Sequence, residues 1–88
     1  MKVYIVTAED QFESTHILNA YDSEYKAKVF CKKEYGIDTE DWTKNEITDS
    51  YLYYDNDNFY VMSDDKYDNP YYKHFMLSNF EIHIREVE

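Results

Sequence analysis

The sequence predicts an α+β fold: a small antiparallel sheet with one main helix packed on one face. The sheet is expected to hold an N-terminal hairpin, a central hairpin and a C-terminal strand. Three observations lead there. Strand-like segments outnumber helical ones, and the one clear helix follows an N-terminal pair of strands. Residues 80–85 alternate apolar and polar side chains, the mark of a half-buried strand. Sixteen Phe and Tyr plus Trp42 supply core material that disordered acidic chains lack, and Gly36 and Pro70 are the only strong breakers.

Residues 3–7 are β-branched and aromatic and read as the first strand. Glu9, Asp10, Gln11 and Glu13 make a polar turn region. Residues 15–21 form a second strand antiparallel to the first. Asp22 and Ser23 then offer an N-cap, and Glu24 sits in the first turn, where the helix dipole favours an acid. Residues 24–35 should be helical. Ala27, Phe30 and Cys31 share one face at helical spacing, with Lys26, Lys28, Lys32 and Lys33 outside it. Gly36 stands where a left-handed residue closes a helix.

Thr39 is placed to cap a short helical turn through Glu40, Asp41 and Trp42. Residues 47–54 and 59–62 read as two strands. The Asp55-Asn56-Asp57-Asn58 tract between them supplies a loop that tolerates positive φ. Residues 63–69 form an acidic loop ending at Pro70, and residues 71–78 fit either a strand or a short helix. At 88 residues the chain is one domain, 1–88, with a single modest core.

Cys31 is the only cysteine, so an intramolecular disulfide and a cysteine-rich zinc site are both excluded. That usage fits a reducing bacterial cytoplasm, the expected location. The apolar N-terminal run is too short for a signal peptide, and no stretch approaches transmembrane length.

Charge is concentrated in the middle. Between residues 35 and 70 ten acids face two bases, a net −8, whereas the first 34 residues and the last 18 each carry −1; the whole is −10. Aromatic residues are interleaved with these acids: Tyr35, Trp42, Tyr51, Tyr53, Tyr54, Phe59, Tyr60 and Tyr67. Such a field repels nucleic acid and anionic lipid and attracts a basic protein surface. Carboxylates on a folded surface can stand in for phosphates. If extended, Asp55 and Asp57 lie about 6.6 Å apart on one side, close to two axial phosphate steps of about 3.4 Å. The expected partner-binding residues are Glu40, Asp41, Asp49, Tyr54, Asp55, Asp57, Asp64, Asp65, Tyr67 and Asp68, with Trp42 and tyrosines as buried anchors.

No catalytic motif competes with the charge, and no cofactor is expected. The 55–58 tract opens like a calcium loop but then has Phe59, Tyr60 and Lys66 where a ligand, Gly and Glu are needed. His16, His74 and His83 lack metal-ligand spacing. Cys31 lies on the apolar helix face and reads as a core residue rather than a nucleophile.

In format the chain resembles small accessory proteins of bacteriophages and mobile elements. The residues that carry the likeness are Met1-Lys2-Val3-Tyr4-Ile5-Val6-Thr7 and Tyr21-Asp22-Ser23-Glu24-Tyr25-Lys26-Ala27, a hairpin-then-helix start over about the first third. The acidic middle is similar in character to nucleic-acid-mimicking inhibitors: anti-CRISPR proteins, anti-restriction proteins and uracil-DNA glycosylase inhibitors. The resemblance implies a non-enzymatic inhibitor whose partner is a basic host protein, a CRISPR effector first and a restriction nuclease second, with no direct contact to nucleic acid. Two alternatives stay open. One is a regulatory or structural interaction module, homodimeric through a sheet edge, whose acids only solubilise it. The other is an immunity protein against a basic toxin.

Overall fold

A computed structural model describes residues 1–10, 12–54, 60–63 and 74–87. Among the described residues six strands and one helix follow the order β1 (Lys2–Glu9), β2 (Thr15–Tyr21), α1 (Glu24–Tyr35), β3 (Thr43–Asn45), β4 (Ser50–Tyr53), β5 (Tyr60–Ser63) and β6 (His74–Glu86). The main path of the sheet runs β2-β1-β6-β4-β3, and β5 pairs with β6 beyond β4. Every pairing is antiparallel.

The helix begins and ends where its caps dictate. Ser23 is extended, and its Oγ accepts the Lys26 N–H at 3.1 Å. Gly36 adopts φ 72°, which costs an L side chain strain, and its N–H donates to the Lys32 carbonyl at 3.0 Å. Ala27 and Cys31 are fully buried against the sheet, and the half-buried Phe30 packs beside them. Burial pushes the Cys31 thiol up to about 12, so it stays protonated and inert.

The core is continuous. Val6 and Ala8 of β1, Leu77, Phe80 and Ile82 of β6, and Ile37 and Trp42 of the following connection join Ala27 and Cys31. Leu77 and Phe80 are three residues apart, an odd spacing that strict alternation would place on opposite faces. A bulge resolves this. Thr7 pairs with Glu81 but Glu9 with Ser78, and Asn79 takes φ 50° at the extra position. Both side chains thereby enter the same core.

A chain of ring contacts crosses the covered face: Tyr21–Phe30 at 5.7 Å, Phe30–Tyr35 at 6.2 Å, Tyr35–Phe80 at 5.1 Å, Phe80–Tyr53 at 6.4 Å and Tyr53–Trp42 at 5.9 Å between centroids. Much of the tyrosine surplus is accounted for here. Tyr4, Tyr21, Tyr35, Tyr51 and Tyr53 pack against the core, and among the described residues only Tyr25 and Tyr54 are largely exposed.

The central hairpin is present, but its strands differ from the expected pair. β3 and β4 form it, joined by residues 46–49. The segment expected as strand from residue 47 turns instead, because Asn45 Oδ1 accepts the Ile47 and Thr48 N–H groups at 3.0 and 3.4 Å, and Asp49 takes φ 49°. Ile47 is left 96% exposed at the tip. β4 and β5 do not form the expected hairpin with each other. Each pairs instead with β6, Tyr53 opposite Phe80 and Tyr60 opposite Leu77. Residues 74–78, ambiguous in sequence, belong to β6. No helix among the described residues is long and apolar enough to cross a membrane.

Candidate partner-binding surface

Of the ten expected binding residues, Glu40, Asp41, Asp49 and Tyr54 are described; Asp55, Asp57, Asp64, Asp65, Tyr67 and Asp68 lie outside the described residues. The four gather at one end of the sheet, around β3 and β4. Ile37 is 1% exposed and anchors the chain after the helix. A single turn follows, closed by the Asp41 N–H on the Asp38 carbonyl at 3.1 Å. This turn holds Asp38, Glu40 and Asp41 outward while Trp42 drops into the core.

Trp42 therefore cannot serve as a partner anchor. It is 9% exposed and meets Tyr53 at a tilt of 53°, and its Nε1 is buried without an acceptor among the described residues. The sequence pattern misplaced it because neighbouring acids made the segment look wholly exterior. A ring of that size next to a connecting turn is drawn inward by its apolar area.

Asp41 and Tyr54 do come together. With Thr43, Leu52 and Tyr53 they line an open cleft of about 510 Å³. Tyr54 is half exposed, and its hydroxyl donates to Glu81 Oε1 of β6 at 2.8 Å. Burial of the ring, then the Glu81 carboxylate, pushes the phenol up to about 12, so it remains a proton donor at neutral pH. Asp49 behaves differently. Lys44 Nζ lies 2.6 Å from its Oδ1 and holds the carboxyl below its ordinary range. The pair closes the β3–β4 turn, so this acid is largely neutralised in place.

Beside the cleft, on the face of the sheet opposite α1, lies a polar cluster that sequence reasoning missed. Glu81 Oε2 meets His83 Nε2 at 3.1 Å, Thr7 Oγ1 meets the same nitrogen at 3.1 Å, and Asn79 Nδ2 donates to Glu9 Oε2 at 3.1 Å. Alternation in residues 80–85 placed Glu81 and His83 on one face. Only the β1–β6 and β4–β6 registers bring Thr7 and Tyr54 to them. Among the described residues no group of three His, Cys, Asp or Glu is arranged to hold a metal ion.

The helix lysines, the one basic cluster, are mostly tied to acids. Lys26 pairs with Asp22 at 2.9 Å, Lys28 with Glu24 at 2.7 Å and Lys32 with Asp38 at 3.7 Å. Lys28 and Lys44 also lie over the Tyr51 ring, at 4.1 and 4.7 Å from its centroid. Glu40, Asp41 and Glu46 are exposed and make no ion pair among the described residues. Comparison with protein families, with curated proteins and with solved structures finds no match for this chain.

Proposed function

We propose that this protein is a non-enzymatic inhibitor that covers a basic nucleic-acid-binding surface of another protein. The observation that carries the reading is the division of charge: three helix lysines are each paired with an acid, while Glu40, Asp41 and Glu46, from the acidic run of residues 35–70, are exposed and make no ion pair among the described residues. Carboxylates held this way occupy positions meant for phosphates, and Tyr54 supplies an exposed ring at their edge. A CRISPR effector is the first target, because its guide and target channels are long and positively charged. A restriction nuclease is the second.

The test is inhibition of DNA cleavage by a purified CRISPR effector and by a purified restriction nuclease. The protein should suppress one of them at near-stoichiometric amounts, less so at high salt. Reversing Glu40, Asp41, Asp55, Asp57, Asp64, Asp65 and Asp68 to Lys should abolish that suppression, whereas reversing Glu13 and Glu34 should spare it. Glu13 and Glu34 are exposed and lie outside the acidic run, which makes them the proper control. Asp10 is not one: it is buried and structural. Equal loss in both sets, or tight binding of the protein itself to DNA or RNA, would overturn the proposal.

A further inference from the structure

The two edges of the sheet are built unlike each other. β3 is three residues long, carries Lys44, and runs into a turn holding Glu46 and Asp49. Short length and charge are what natural sheets use to prevent edge pairing. β2 has neither of these, and its one irregularity is a bulge at Leu18, where Val6 pairs with Asn19 but Thr7 with Ile17. The strand runs seven residues, about 23 Å of backbone, and reads Thr-His-Ile-Leu-Asn-Ala-Tyr, with no Lys, Arg, Asp or Glu in a chain that is 32% charged. Its inner side pairs with β1, and its outer side has no strand partner among the described residues. Ile17 is 75% exposed on it. The Ala20 N–H donates to the neighbouring Asn19 side chain at 2.8 Å.

We propose that β2 is a self-association edge, on which two copies of this chain pair β2 with β2 antiparallel. A strand edge is self-complementary under a two-fold axis, so a second copy meets its hydrogen-bonding needs without a separate partner sequence. Charge permits this seam and few others. The first 34 residues carry a net −1, whereas the described acids that follow α1 (Asp38, Glu40, Asp41, Glu46 and Asp49) lie around β3 at the opposite edge. Joining β2 to β2 makes a ten-strand path with β3 at both ends, about 43 Å apart at about 4.8 Å per strand. That exceeds the Debye length of about 8 Å at physiological salt several times over, so the two acidic ends barely repel.

The same geometry supplies apolar area that a strand pair lacks. A two-fold axis perpendicular to the sheet keeps both helices on one face. Beside β2, α1 presents an open groove of about 360 Å³ whose apolar floor is Tyr21, Tyr25, Val29 and Phe30 and whose rim is Lys26, Lys33 and Glu34, with Tyr25 72% exposed. The two grooves come together over the seam and lose water there. This inference is independent of the inhibitor reading, because it is read on the protein alone.

Solution mass decides it. Sedimentation equilibrium over rising concentration should approach twice the 10.8 kDa of the chain. Ile17→Lys puts like charges on the seam at an exposed position, and should return the mass to that of one chain with the melting curve unchanged at low concentration. Thr43→Lys, on the protected edge, should leave the doubled mass. Should Ile17→Lys misfold, hydrogen exchange on the wild type serves instead: amides of residues 15–21 should slow as concentration rises, and those of residues 43–45 should not. A single-chain mass up to about 1 mM overturns the proposal. So does a doubled mass that Ile17→Lys fails to shift, or exchange in residues 15–21 that ignores concentration.

Discussion

The β1–β2 and β3–β4 hairpins sit at opposite ends of one sheet, and each is closed by an acid held by a side-chain nitrogen. In β1–β2 the acid is Asp10, whose side chain is 3% exposed; it accepts the Phe12 and Ser14 N–H groups at 2.7 and 3.1 Å and meets His16 Nε2 at 2.7 Å. In β3–β4 it is Asp49, 61% exposed, whose side chain has Lys44 as its one ion-pair partner among the described residues. Similar chemistry thus has two meanings. A carboxylate withdrawn from water is held by several donors, and losing any of them strands a buried charge. An exposed carboxylate exchanges one partner for water at little net cost. The first hairpin spends its acid on structure and ends in a neutral edge; the second leaves its neighbouring acids free to face a partner.

One core lies under both hairpins, and the largest expected effect tests that. Phe80 touches Tyr35 towards one end and Tyr53 towards the other. Phe80→Ala should cost about 3–5 kcal/mol and move both ends together in one denaturant transition. Two separate transitions would show that the hairpins are independent units.

The buried and exposed acids come next. Asp10→Ala should lower the melting temperature clearly at neutral pH, and Asp49→Ala only slightly. The pH dependence has a definite sign. The His16 hydrogen bond, against the cost of burial, holds the folded Asp10 carboxyl below its ordinary 3.8. Its stabilisation is therefore present above that value and fades as pH falls through the lower, folded one. Melting of wild type and Asp10→Ala should differ most near neutrality and converge in acid. A difference that persists at the lowest pH, or Asp49→Ala matching Asp10→Ala, breaks the contrast.

The smallest effect concerns the two aromatic residues that flank the acidic end. Trp42→Phe removes an indole whose N–H has no acceptor among the described residues, and should cost about 1 kcal/mol or less in stability with partner binding unchanged. Tyr54→Ala should leave stability nearly intact and instead speed dissociation of the partner, measured by surface-binding kinetics. If Trp42→Phe weakens binding more than Tyr54→Ala does, the acidic end is oriented otherwise.

Local signals read well in this sequence. β2 and α1 fall on residues 15–21 and 24–35 because their determinants are near neighbours: β-branched alternation, Ser23 as cap, Gly36 as stop. β3 was not legible. Three polar residues carry no periodicity, and only pairing with β4 makes them a strand. Nor was it legible that Asp49 is neutralised and Glu40 is not, since Lys44 reaches Asp49 only once the turn closes. The open-face cluster was half legible: alternation set Glu81 and His83 on one face, and register supplied Thr7 and Tyr54.

The sequence by itself determined the fold class, the helix with both its caps, and the skew of charge towards residues 35–70. Each rests on composition or on contacts within one turn of chain, which need no knowledge of distant residues. Tertiary structure alone decided which aromatics are core and which acids are free. It also decided that Leu77 and Phe80 share a core across the Asn79 bulge, and that a neutral edge and an acidic edge stand at opposite ends of the sheet. Those outcomes depend on strand order and register, set by burial summed over residues up to about eighty positions apart, and no local pattern encodes that sum.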